Sequence, residues 1–244
     1  MTSAVPAHEF PDVVLSHSGG DPITPVWLND VGGVTYRLGE GPSARYLKWQ
    51  PPTDEVSLGA EAHRLLWAAQ FVACPTVLDA GYDESAEWVL TAAAPGDSAV
   101  FTPWLEHPEI TVPALGRGLR RLHDTLPTDA CPWTWSPAER ISDARSRGID
   151  VQLEATDAPA IDRAVVCHGD ACCPNFLLSD PGQVTAYVDL GSLGVADRWA
   201  DIAVAAMSTV WDYGPGWERP LVEAYGVDFD EERMSFYQRL WDST

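Results

Sequence analysis

The chain predicts an α+β protein of two lobes, a small β-rich one first and a larger, mainly helical one after it. Three observations carry this. Strand-like segments crowd the stretch from Pro25 to Ala93, helical stripes dominate from Leu115 onward, and Pro95-Gly96 breaks the chain between them.

Pro25 to Tyr36 reads as a strand, a turn and a second strand, with Asn29-Asp30-Val31-Gly32-Gly33 at the tip. Arg45-Tyr46-Leu47-Lys48-Trp49 alternates as a third strand, and Pro51-Pro52 ends it. Leu58, Ala62, Leu65 and Ala69 then recur at helical spacing, with Glu61 beside the stripe. Glu87 to Ala93 forms a further strand. Beyond Pro95-Gly96, which has the look of a hinge, Leu115, Leu119, Leu122 and Leu126 define a helix that Pro127 stops. Residues 131–162, rich in Trp, Pro and charge, show no clear period. Two strands follow around Val165 and Tyr187, then a helix from about Trp199 to Trp211 and a terminal helix from about Glu231. The expected division is a flexible lead-in over 1–20, a nucleotide-binding lobe over 21–94 and a catalytic, substrate-binding lobe over 95–244.

Bulk composition narrows the class. A 45% hydrophobic chain with 11 Trp can build a core, so disorder is not expected. No apolar run reaches the length of a membrane span, and the opening residues lack the basic start and apolar stretch of a secretory signal. Five Cys without a Cys-x-x-Cys pair fit free thiols in a reducing cytoplasm. Fifteen basic against 36 acidic residues leave a net charge of −21, a surface that repels nucleic acid and anionic lipid and attracts a polycation. The same charge is also an ordinary solubility device.

The chemistry sits in His168-Gly169-Asp170-Ala171-Cys172-Cys173-Pro174-Asn175 and in Val188-Asp189-Leu190-Gly191. An Asp, an Asn and a second Asp stand in the order and spacing of a kinase catalytic loop and its metal site. Asp170 is placed to take the proton of an attacking alcohol; Asn175 and Asp189 supply the hard oxygens that Mg²⁺ selects. Lys48 on the third strand and Glu61 on the next helix match the kinase ion pair that grips the phosphates of ATP. Gly32 and Gly33 are candidates for a phosphate cradle, though two adjacent glycines are equally the tip of a plain hairpin. His168 is expected to brace the loop through its ring nitrogens. Each residue has an ordinary alternative as a loop, strand-end or exposed side chain; together they outline a protein-kinase-like fold.

The stretch from His168 to Asn175, followed by Val188 to Ala203, resembles the aminoglycoside phosphotransferases, and among them the 3′-phosphotransferases of the kanamycin kinase type. Gly118-Leu119-Arg120-Arg121-Leu122-His123, Trp88-Val89-Leu90-Thr91 and Tyr225-Gly226-Val227 with Phe236-Tyr237 match as well. The resemblance implies transfer of a phosphoryl group from ATP, with Mg²⁺, to a hydroxyl of a cationic sugar held in an acidic pocket. It points to Asp157, Asp212 and Asp242 as the carboxylates of that pocket. Departures from the family pattern are Ser192, Met207 and Trp211, where Arg or acidic residues are usual, and the ending Trp241-Asp242-Ser243-Thr244. More indole and less charge would suit a flatter or less cationic acceptor. A kinase for a different alcohol (a macrolide, another antibiotic or a metabolite) and a non-catalytic nucleotide-binding module stand as alternatives. A protein kinase is disfavoured, because Asp189-Leu190-Gly191 replaces Asp-Phe-Gly and no Ala-Pro-Glu follows.

Overall fold

The computed structural model describes residues 10–29, 31–53, 57–179 and 182–244. The chain divides into two compact units, the first ending at Ala69 and resuming over Pro75–Ala94, the second made of Gln70–Cys74 and Pro95–Thr244.

The first unit holds α1 (Asp12–Ser18), β1 (Ile23–Leu28), β2 (Val34–Leu38), β3 (Arg45–Gln50), α2 (Leu58–Ala68), β4 (Val77–Tyr82) and β5 (Glu87–Ala92). Its strands form one antiparallel sheet in the order β1-β2-β3-β5-β4. The two sheet faces are covered differently. Leu47 and Leu90 point to a cluster with Val14, Val34, Tyr36 and Leu38. Val89 points the other way, onto Leu58 and Ala62 of α2.

Here one expectation is corrected. Residues 12–18 are no loose lead-in: they form α1, and its Val14 is fully buried against the sheet with Phe10 and Val13 packed alongside. Burying one Val side chain stabilises by roughly 1.5–3 kcal/mol, enough to hold a short helix down. The remainder of the expected lead-in, residues 1–9, lies outside the described residues. β4 escaped the sequence reading because most of its side chains are exposed and show no clean alternation.

The second unit contains β6 (Asp97–Ser98), α3 (Pro108–Thr125), α4 (Pro137–Ser146), β7 (Ala164–Cys167), β8 (Phe176–Ser179), β9 (Gln183–Tyr187), β10 (Gly194–Asp197), α5 (Trp199–Tyr213), α6 (Glu218–Tyr225) and α7 (Glu231–Ser243). β7 pairs with β10, and β8 lies between β6 and β9. α5 is buried on nearly all sides, as Ile202, Ala203, Val204, Ala205 and Ala206 show, which marks it as the central helix of this unit. Leu115, Leu119 and Leu122 of α3 join the same interior. In the stretch without a legible period, α4 begins at a capping box in which Ser136 and Glu139 satisfy each other's backbone N–H groups. Pro95 belongs to this unit, its carbonyl held by Thr185 Oγ1 at 2.7 Å.

Candidate active site

Site residues fall into two hydrogen-bonded centres, one in each unit. In the first, Lys48 pairs in register with Val89, so both side chains share the sheet face that α2 covers. There Lys48 Nζ donates to Glu61 Oε1 at 2.7 Å. Glu61 is only 5% exposed, so its charge depends on that partner. The helix that carries it is anchored at its start: Ser57 Oγ accepts from Ala60 N, and Glu87 Oε2 accepts from Leu58 N at 2.7 Å and Gly59 N at 3.2 Å.

The turn bearing Gly32 and Gly33 is closed on itself. Asn29 Oδ1 accepts from Val31 N and Gly33 N, at 3.2 and 2.6 Å, and Asn29 Nδ2 donates to Gln50 Oε1 at 2.8 Å. Gly32 N donates to the Asn29 carbonyl at 3.3 Å. A side chain at 33 would put its Cβ 2.1 Å from Gln50 Oε1, which is why glycine stands there. Because these N–H groups are engaged within the turn, the loop would have to open before it could cradle a phosphate.

The second centre grows from the end of β7. Asp201 on α5 is fully buried and receives three donors: His168 N at 2.6 Å, Gly169 N at 2.9 Å and the ring of His123 at 2.9 Å. Burial opposes its charge, yet the His123 hydrogen bond and charge, with the Gly169 N–H, hold its carboxyl below the usual range. His123 Nδ1 in turn meets Tyr225 Oη at 2.8 Å. Cys167 lies near enough to His123 and Asp201 to complete a metal-like trio. Both ring nitrogens and both carboxylate oxygens are already spent on hydrogen bonds, so the trio is a brace. Gly169 takes φ +87°, and a Cβ there would come 2.1 Å from the Ser192 carbonyl oxygen. The loop therefore leaves β7 along one path only.

That path presents Asp170. Asn175 Nδ2 donates to its Oδ2 at 3.0 Å and to its carbonyl at 2.9 Å. Asp170 Oδ1, also buried, accepts no hydrogen bond from the described residues. The β8–β9 register pairs Phe176 with Tyr187, and Val188 N donates to the Asn175 carbonyl at 3.0 Å, so Asn175 and Asp189 leave the hairpin at the same end. His168 Nε2 meets the Val188 carbonyl at 3.0 Å and ties the loop to that strand. Asp189 adopts φ +60°, a left-handed conformation that costs about 1 kcal/mol or more for a side chain other than glycine.

Further residues lie along this loop and the helices packed on it. Arg140 of α4 is buried over the Trp135 ring, its Cζ 4.8 Å from the ring centroid. Desolvation lowers its pKa to about 10, against the opposing pull of Asp201, Cys167 and Asp170. Ser208 Oγ accepts from Cys173 N at 2.8 Å and donates to Asp212 Oδ2 at 2.9 Å, linking α5 to the catalytic loop. Burial raises the Asp212 carboxyl. The thiols of Cys172 and Cys173 are also pushed up by burial, Cys172 further by the Asp170 charge beside it.

Of the expected acidic pocket, the structure joins Asp212 to the loop and places Asp242 on α7, at a groove shared with Met207 of α5. Asp157 is exposed, and its Oδ2 accepts from Glu154 N at 3.0 Å, capping its own short turn. His123, Asp201, Arg140 and Ser208 carry no role that the sequence alone reveals, because no local pattern signals their contacts with residues distant in the chain.

Comparison with known proteins adds the following. Residues 28–237 match the profile of the phosphotransferase enzyme family. An aminoglycoside 3′-phosphotransferase of Streptomyces fradiae is 35% identical, the match covering 86% of this chain and 91% of that protein. A solved aminoglycoside 3′-phosphotransferase of type VIII superposes with a TM-score of 0.78 at 27% identity, covering 95% of this chain and 97% of the other. An aminoglycoside phosphotransferase of Streptomyces rimosus, solved in complex with ADP and streptomycin, gives a TM-score of 0.73 at 28% identity, over 93% and 95% of the two chains.

Proposed function

This chain belongs to the phosphotransferase enzyme family, and we propose that it transfers the γ-phosphoryl group of ATP to a hydroxyl, at the 3′ position, of an aminoglycoside antibiotic. The observation that carries this is the state of Asp170. One carboxylate oxygen is held by Asn175, and the other is buried and accepts nothing from the described residues. A base so fixed is ready for the proton of an incoming alcohol. As the acceptor oxygen bonds to the γ-phosphorus, its proton passes to Asp170, the bond to the bridging oxygen breaks, and ADP leaves.

The donor set fits Mg²⁺. Asn175 turns its Nδ2 to Asp170, which directs its amide oxygen away from the base, and Asp189 adds an exposed carboxylate. When bound, the ion neutralises charge on the phosphates. Lys48, steadied by Glu61, supplies a further positive charge for the phosphates. Asp212 and Asp242, with Asp157 as a third candidate, serve the acceptor's ammonium groups. Among the described residues no helix is long and apolar enough to cross a membrane. None of the five cysteines forms a disulfide, which suits a cytoplasmic enzyme.

The test is ADP release with magnesium-ATP and kanamycin, beside a 3′-deoxy analogue, with Asp170→Asn as control. Release that requires kanamycin and fails with the analogue and the variant supports a 3′-kinase. No release with either drug, despite ATP binding, overturns the aminoglycoside assignment. A second reading, a kinase for a less cationic alcohol, is favoured by the exposed indole of Trp211. It predicts release with a neutral polyol antibiotic and none with kanamycin.

A further inference from the structure

Trp211, near the end of α5, is 54% exposed although indole is among the largest apolar side chains. Its ring centroid lies 5.5 Å from that of Trp241 near the end of α7, the planes tilted by 45°. The two rings steady each other without covering each other's faces.

The pair stands beside the catalytic loop. Asp212 follows Trp211 directly, and Ser208 links Asp212 to the backbone of Cys173. The turn of α5 that presents Trp211 is thus tied to the segment between Asp170 and Asn175. Met207, one turn earlier on α5, lines a neighbouring open groove of about 430 Å³ with Glu231, Met234, Gln238, Arg239 and Asp242, a groove whose lining includes neither indole. A space of this size suits a small sugar, within the ~300–1,000 Å³ usual for ligand sites.

We propose that Trp211 and Trp241 determine which acceptor the enzyme takes. The exposed indole of Trp211, steadied by half-buried Trp241, holds the C–H face of a saturated amino-sugar or aminocyclitol ring, and Asp212 and Asp242 serve its ammonium groups. This rests on the reading of the acceptor as an aminoglycoside and deepens it. Dispersion and cation–π attraction then replace part of the binding that a denser cluster of carboxylates would supply.

The experiment compares wild type with Trp211→Ala, Trp211→Phe and Trp241→Ala, by ADP release against kanamycin and ATP concentration. Both alanine variants are expected to raise the KM for kanamycin about tenfold, the worth of one cation–π or stacking contact. Their kcat and KM for ATP should stay within about twofold, and Trp211→Phe should recover most of the loss. The exposed Trp211 decides, since truncating it opens no cavity. A kanamycin KM unchanged in Trp211→Ala overturns this proposal and leaves the kinase reading standing. Wild-type protein that binds ATP but shows no aminoglycoside-dependent release overturns both.

Discussion

Asn175 Nδ2 lies 3.0 Å from Asp170 Oδ2 and 2.9 Å from the Asp170 carbonyl oxygen, so one amide fixes both the base and its backbone. The residue proposed to hold the metal therefore also orients the proposed base, and removing its side chain would disturb both at once.

Asp170→Asn should reduce kcat by about 10²–10⁴-fold, the usual worth of a positioned general base. Binding of ATP, followed by calorimetry, should be nearly unchanged. Asn175→Ala should reduce kcat and also raise the magnesium concentration needed for half-maximal rate. An Asn175→Ala enzyme with wild-type magnesium dependence would refute its place in the metal set.

Lys48→Met should raise the KM for ATP about tenfold or more, since a charge on the phosphates is lost. It should also lower thermal stability by about 2 kcal/mol, because Glu61 is left buried without its cation. The double variant Lys48→Met with Glu61→Gln should recover stability while KM stays high. Thermal melts and initial rates separate the two effects.

Asp201 links the loop to pH. Its carboxyl titrates below its ordinary value of 3.8, so the stabilisation it gives is present in full above that value. It is lost as pH falls through the lower folded-state value. Urea titrations should therefore show Asp201→Asn destabilised by about 3 kcal/mol at neutral pH, a gap that narrows in strong acid. The amide cannot accept from the two loop N–H groups and His123 together, so kcat should fall with little change in KM for ATP.

Asp212 titrates in the opposite sense. Burial raises its carboxyl, so it becomes protonated at a higher pH than an ordinary Asp and then stops attracting a cation. The KM for a cationic acceptor should rise as pH drops from neutral into the acid range, and Asp212→Asn should have a high, flatter profile. A wild-type profile that Asp212→Asn does not alter would remove this residue from the acceptor site.

Thiol reagents should spare the site. Burial pushes Cys74 up to about 11 and raises Cys167, Cys172 and Cys173 as well, so few thiolates exist near neutral pH. Brief iodoacetamide treatment at pH 7.5 (about one unit below a free thiol) should leave activity intact, with label in the peptide of half-buried Cys131. Label at Cys172 with loss of activity would contradict the burial of that thiol.

Much was legible in the sequence because it is local. Periods of two and near four marked β3, α2 and α3, since an element that buries one face must repeat at its own pitch. Asp170, Asn175 and Asp189 were legible too, because one loop and one hairpin bring them together within twenty residues. The pairing of Lys48 with Glu61 followed from a strand and the helix after it. α1 and β4 were not legible: one is too short to show a period, and the other is mostly exposed.

By itself the sequence determined the fold class and the phosphoryl-transfer chemistry, and it singled out Asp170, Asn175 and Asp189 as the residues proposed for base and metal. Only the tertiary structure decided what holds them in place. His123, Asp201 and Tyr225 meet across a hundred residues, and Ser208 joins α5 to the loop. It also turned Asp157 to its own backbone as a cap and brought Trp211 to Trp241. The reason is physical: short-range order is set by side-chain periodicity and backbone preference, but contacts distant in the chain exist only once helices have packed and their buried polar groups have found partners.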